Sequence, residues 1–194
     1  MKICVYGAAS NTIDKKYIDN IEILGEKLAQ RGHSLVFGAG ANGSMGAVAR
    51  GVFRKDGYII GIAPSFFNVD GVLFEKCNEL YRPETMRERK RMLDEMSEAF
   101  IITPGGIGTF DEFFEILTLR QLGRHEKAIV IYNIDGYFDK LIEFLEFSVE
   151  KNFIKDRALE LFMVTNSPDE VLDYIESYDA DFADVKKMKN ITEE

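Results

Sequence analysis

Cysteine and histidine are scarce in this chain. Cys4 and Cys77 are the only thiols, and His33 and His125 the only imidazoles, among 194 residues. No two of them stand at the close spacing of a zinc or iron site, so no metal is expected and both thiols read as small buried apolar groups. Long apolar runs are missing as well, and nothing approaches the roughly 18 residues of a membrane-spanning helix. The start, "MKICVYGAAS", runs straight into a strand-like segment instead of a signal peptide, which points to a cytoplasmic protein without membrane attachment. An excess of positive charge is also absent. The formal net charge is −9, which argues against a nucleic-acid polymer as partner and leaves small anionic ligands open.

Short apolar runs rich in branched residues alternate with longer amphipathic stretches, as strands buried on both faces alternate with covering helices. "KICVYG", "HSLVFGAG", "YIIGIAP", "AFIITPGG", "KAIVIYN" and "LFMVTN" read as strands, and "KCNELY" as a further short one. Tyr17, Ile18, Ile21, Leu24 and Leu28 lay an apolar stripe at helical spacing. Helices are likewise expected over "SMGAVARGVFRKDG", from about 84 to 97, from about 110 to 122, over "GYFDKLIEFLEFSVEKNF", and over "PDEVLDYIESY", where Pro168 suits a first helical turn. The order predicts an α/β fold: a Rossmann-like, doubly wound, mostly parallel sheet with helices on both faces. One domain over residues 1–178 is expected, followed by a polar, mobile tail over 179–194.

In such folds ligands sit beyond the carboxyl ends of the strands. Three glycine-bearing turns fall there: "YGAAS", "GAGANGSMG" and "PGGIGT". The second matches a dinucleotide fingerprint through Gly38, Gly40 and Gly43, but the next strand ends Gly61, Ile62, Ala63, Pro64, without the acid that holds ribose hydroxyls. NAD is therefore disfavoured and no cofactor is expected. A mononucleotide at this turn, or glycines that merely let backbones approach, remain open. In the third turn Gly105, Gly106 and Gly108 expose consecutive N–H groups before a helix N-terminus, a setting whose natural guest is phosphate.

Directly behind that turn lie Asp111, Glu112 and Glu115. Thr109 and Glu112 have the spacing of a capping box, in which the glutamate reaches back to the helix start. Equally, Glu112 and Glu115 share one helix face a turn from the phosphate, where a carboxylate meets the sugar of a bound nucleotide. In "MRERKRM", Met86, Leu93 and Met96 follow a helical stripe and Arg89 falls on the same inward face, while Arg87, Lys90 and Arg91 point elsewhere. An inward arginine needs an anionic partner, from the protein or from a ligand.

"MRERK" followed by "AFIITPGGIGTFDEFFEILTLRQLG" resembles the LOG (Lonely Guy) family, whose marks are Met-x-x-Arg-Lys and Pro-Gly-Gly-x-Gly-Thr-x-x-Glu. The resemblance runs from the first strand to about Phe153 and includes "GAGANGSMG" and "NIDGYFDKL". It implies a Rossmann-like hydrolase that cleaves the N-glycosidic bond of adenine-type nucleoside 5′-monophosphates, cytokinin riboside 5′-monophosphate or AMP, to free base and ribose 5-phosphate. On that resemblance Arg89 and Glu112 are the catalytic pair. Substrate contacts fall to Lys90, to Gly105, Gly106, Ile107, Gly108 and Thr109, to Glu115 and Thr118, and in the second turn to Gly40, Gly43 and Met45. A homodimer with the site near its interface is also implied. Some relatives carry the label "lysine decarboxylase", yet no pyridoxal phosphate motif accompanies any lysine here. The second turn departs from the family's Gly-Gly-Gly and Leu-Met-Gly, with Ala39 and Ser44 in those runs, and "NELYRPETM" lacks the expected aspartate. Both differences fall on the implied base pocket.

Two other classes of function compete. A nucleotide carrier or sensor would use the same fold without hydrolysis, and a redox enzyme would use "GAGANG". The inward acid and arginine favour hydrolysis, because binding alone does not need an acid set against the sugar.

Overall fold

The computed structural model describes residues 1–67 and 71–179. The tail expected over 179–194 lies outside them beyond its first residue. Seven strands form one all-parallel sheet among the described residues: β1 (Lys2–Tyr6), β2 (Ser34–Phe37), β3 (Ile59–Ile62), β4 (Glu79–Tyr81), β5 (Ala99–Ile102), β6 (Ala128–Tyr132) and β7 (Met163–Thr165), in the order β4-β3-β2-β1-β5-β6-β7. Expected strands are thus all present, including the short one within "KCNELY", which forms an edge. The chain winds outward from β1 to β4, then crosses back to β5 and winds the other way. Its direction reverses between β1 and β5, the switch point at which doubly wound sheets open a crevice.

Alternation along each strand sends side chains to two separate cores. Ile3, Val5, Ile101 and Val130 join one face, which is covered by α1 (Lys15–Gln30), α2 (Gly43–Arg54) and α6 (Pro168–Ser177). Cys4, Tyr6, Phe100 and Ile129 join the other, under α3 (Met86–Glu95), α4 (Ile107–Gln121) and α5 (Asp139–Glu150). Both faces are buried, which explains why the strands read as continuous apolar runs. No described helix is long and apolar enough to cross a membrane.

Helix starts follow local chemistry. Asp14 caps α1 by accepting from the Lys16 N–H, and Ser167 with Pro168 opens α6. The capping box of this fold stands at α3, where Thr85 and Glu88 satisfy each other's backbone N–H groups. Before α5, a short 3₁₀ turn (Ile134–Gly136) holds Asp135 at φ 55° and Gly136 at φ 69°, so the amphipathic stretch begins its helix only at Asp139.

Candidate active site

Parallel register lines up the strand ends that matter. Tyr6 of β1 pairs with Ile102 of β5, and Val5 with Phe37 of β2, so the three glycine turns emerge side by side. They are tied to one another. The Ala8 N–H donates to the Pro104 carbonyl at 3.2 Å, the Met45 N–H to the Ala8 carbonyl at 3.2 Å, and the Ser44 hydroxyl to the Pro104 carbonyl at 2.8 Å. Gly43, at φ 58°, packs against the first turn, where an added Cβ would lie 2.5 Å from the Ala8 carbonyl oxygen. That glycine of the dinucleotide fingerprint therefore serves close approach of two turns.

The third turn leaves a helix N-terminus open. α4 begins at Ile107 with Gly106 as its extended N-cap, and no side chain caps it. Its first-turn N–H groups accordingly face the helix mouth without a side-chain acceptor. Here the structure corrects the capping-box reading of Thr109 and Glu112: Thr109 lies inside the first turn, buried, and Glu112 turns its carboxylate elsewhere. The helix thus starts three residues before the point that the threonine suggested, with Gly106 and not Thr109 as its N-cap.

Glu112 meets Arg89. The Arg89 Nη1 donates to Glu112 Oε1 at 2.7 Å, its Nε donates to the Ile62 carbonyl at 3.3 Å, and the two residues are 7% and 8% exposed. Gly38 makes room for the guanidinium, since a Cβ at that position would fall 2.2 Å from Nη2. Met45 flanks the same spot, its sulfur 3.0 Å from that Cβ position. Burial pushes the Glu112 carboxyl above the ordinary glutamate range, and the charge and hydrogen bond of Arg89 work against that rise without cancelling it. The result is a buried acid with one fixed cationic partner. The inward stripe is also adjusted: Arg89 and Leu93 are buried, whereas Met86 is exposed.

The other expected site residues divide. Lys90 bridges α3 to α4 through Asp111 at 3.1 Å and Glu115 at 3.0 Å, on the outer side of the buried pair. Glu115 is therefore engaged with Lys90 and more exposed than Glu112. Thr118 is exposed farther along α4. Gly40 packs against Met45, with an added Cβ 2.6 Å from its terminal methyl, and Ile107 projects 86% exposed at the helix mouth. Between α3 and α4 opens a pocket of about 480 Å³, lined in part by Tyr6, Arg87, Lys90, Glu115 and Leu119.

The family model described as "Possible lysine decarboxylase" matches residues 45–175, which contain Met45, Arg89, Lys90, the third turn and all of α4 but not Gly38, Gly40, Gly43, Ser44 or the first turn. A probable cytokinin riboside 5′-monophosphate phosphoribohydrolase of Oryza sativa subsp. japonica is 34% identical over 91% of this chain and 71% of its own length. A cytokinin riboside 5′-monophosphate phosphoribohydrolase of Arabidopsis thaliana is 34% identical over 91% of this chain and 82% of its own. The chain belongs to the LOG family. It is an enzyme of the hydrolase class, as those relatives are named. Among solved structures, the molybdenum cofactor binding protein of Rippkaea orientalis superposes with a TM-score of 0.68 at 19% identity, covering 91% of this chain and 94% of that one. The Moco carrier protein of Chlamydomonas reinhardtii gives 0.67 at 17%, over 90% and 94%. At those identities the likeness is one of fold.

Both LOG marks converge in this geometry: the Arg89 mark rides on α3 and the Glu112 mark on α4, on either side of β5. Sequence reasoning missed the ties that hold them. Thr103 donates its hydroxyl to the Tyr6 carbonyl at 2.8 Å, and Tyr137 donates to the Gly105 carbonyl at 2.6 Å. No local spacing signals either bond, because each joins residues more than thirty positions apart.

Proposed function

We propose that this LOG-family hydrolase cleaves the N-glycosidic bond of adenine-type nucleoside 5′-monophosphates, releasing free base and ribose 5-phosphate. The observation that carries this reading is the buried Arg89–Glu112 ion pair set beside an uncapped, glycine-rich helix N-terminus. The loop N–H groups bind the 5′-phosphate, as helix N-termini do. Anchoring there presents the ribose to Glu112. As the C1′–N bond breaks, its electron pair leaves with the base, which takes up a proton from solvent, and positive charge grows on the sugar. The ionised carboxylate stabilises that charge and takes a proton from the water whose oxygen bonds to C1′. Arg89 keeps Glu112 ionised and oriented.

A second copy of the chain and a cytoplasmic location belong to the same reading. Phe114 on α4 and Phe144 and Phe147 on α5 stand exposed on helices that cover the same face of the sheet as α3, apolar surface that a second copy would bury. Light scattering should return twice the 22.1 kDa chain mass. Cys4 and Cys77 are both free thiols, which fits a reducing compartment.

The test is to incubate the purified protein with AMP and with isopentenyladenosine 5′-monophosphate and to separate the products by chromatography. Base and ribose 5-phosphate in equal amounts are expected, and the ratio of the two rates reports which base the altered second turn prefers. Tight binding without cleavage of either nucleotide would replace hydrolysis with the carrier or sensor reading.

A further inference from the structure

The segment "NIDGYFD", between β6 and α5, takes no part in the chemistry above, yet it reaches the phosphate loop. Tyr137 donates its hydroxyl to the Gly105 carbonyl at 2.6 Å. In a trans peptide the C=O and the following N–H point in opposite directions. Fixing the Gly105 carbonyl therefore fixes the Gly106 N–H, directed away from Tyr137. The preceding peptide is fixed in the same manner, by the Ala8 N–H and the Ser44 hydroxyl on the Pro104 carbonyl. Two consecutive peptides of the loop are thus oriented by outside groups. Around Gly106 the space is open, for a Cβ there would meet no heavy atom within 4 Å.

Tyr137 is held on three sides. Its N–H donates to the Ile134 carbonyl at 3.1 Å within the turn made by left-handed Asp135 and Gly136. Asn133 clamps the turn by accepting from the Phe138 N–H and donating to Asp139, both at 2.7 Å. From α1, Lys16 pairs with Asp135, and Tyr17 meets the Tyr137 ring edge-on with centroids 5.8 Å apart. Tyr137 is nevertheless 40% exposed and is not one of the buried core residues. A rigid, half-exposed side chain delivers one hydroxyl to one carbonyl of the loop.

We propose that Tyr137 is a positioning residue for the phosphate-binding loop, orienting the peptide between Gly105 and Gly106 so that its N–H is preset for the 5′-phosphate. This rests on the reading of the loop as a phosphate site. The test compares Tyr137→Phe with the parent, both in a Glu112→Gln background so that bound nucleotide is not consumed, by titration calorimetry with AMP and with adenosine. Loss of one positioning hydrogen bond should raise the Kd for AMP about fivefold to tenfold and leave that for adenosine within about twofold. In the active background the KM for AMP should rise by a similar factor, with a smaller fall in kcat. An unchanged Kd for AMP, or equal weakening of AMP and adenosine, overturns the proposal while leaving the phosphate site standing. If the Tyr137-intact protein binds adenosine as tightly as AMP, the loop holds no phosphate and both readings fall together. Melting temperatures within a few degrees confirm that the comparison concerns the loop and not the fold.

Discussion

Arg89 and Glu112 stand 23 positions apart in the chain and 2.7 Å apart in space, one from each of the two helices that flank β5. The pair is nearly dry, and dry ion pairs are expensive to assemble, since desolvation offsets much of their attraction. A fold kept only for stability gains little from such a pair over packed apolar side chains. On the proposed mechanism, its position beside an uncapped helix mouth gives that cost a chemical purpose.

Replacing Glu112 by Gln keeps the shape and a hydrogen-bond acceptor for Arg89 while removing the charge. Turnover of the nucleotide should fall by about a hundredfold or more, the usual scale for losing a general base or a charge that stabilises the transition state. Steady-state kinetics beside a thermal melt checks this. A melt within a few degrees of the parent with undiminished turnover would reduce Glu112 to a structural partner of Arg89.

Arg89→Met tests the pair from the other side. The substitution leaves a buried carboxylate without its cation, and the chain should lose about 3 kcal/mol at neutral pH. Adding Glu112→Leu to that variant should restore much of the loss, because the uncompensated charge is then gone. Urea unfolding of the four proteins of the cycle measures the coupling. Simple additivity of the two single changes would mean that the ion pair is energetically silent.

The pH dependence follows from the direction of the Glu112 shift. Burial raises its folded pKa above the unfolded value, so as pH rises through that interval the folded protein holds a proton that the unfolded chain has already released. Stability contributed by this group is therefore present below the unfolded pKa and lost as pH rises through the folded one. On the proposed mechanism activity runs in the opposite sense, since there the ionised carboxylate does the chemistry. The acid limb of kcat/KM should show an apparent pKa above the ordinary glutamate value, and Glu112→Gln should abolish that limb. A limb at or below the ordinary value would contradict the desolvated environment described above.

Much of this was legible in the chain because its signals are local. Apolar runs marked the strands, the glycine turns fell at their carboxyl ends, and the helical stripe that carried Arg89 inward was visible from Leu93. What was not legible depends on distance in sequence. Thr109 and Glu112 have capping-box spacing, and only the bond from Arg89, supplied by another helix, decides that Glu112 faces the site. The α4 start escapes the sequence for a local reason: a glycine N-cap has no side chain to announce it. Glu115 was grouped with Glu112 by helical geometry, but Lys90 on α3 draws it to the outer side. Tyr137 read as one more aromatic of an amphipathic stretch, and nothing near it in the sequence points to Gly105.

Gly105 and Gly106 are neighbours with opposite requirements, and substituting each by Ala separates folding from binding. A Cβ at Gly105 would fall 2.1 Å from Oγ1 and 2.7 Å from Cβ of Thr109, and 3.0 Å from the Ala8 nitrogen. Thr109 is buried and the first turn is tied to Pro104, so little can yield, and Gly105→Ala should destabilise the fold by about 1–3 kcal/mol, the range of overpacking. Gly106→Ala meets no such obstacle, because its Cβ enters open space and its backbone, at φ −98°, lies where any residue is allowed. The Gly106→Ala protein should melt with the parent, yet it carries an added methyl group at the N-cap of α4, beside the proposed phosphate position. Its KM for AMP should rise at least tenfold, a loss of about 1.4 kcal/mol of binding. Parent-like KM in Gly106→Ala, measured on protein with a parent-like melt, would move the phosphate away from this turn and toward the second one, where Gly40 and Met45 line the alternative.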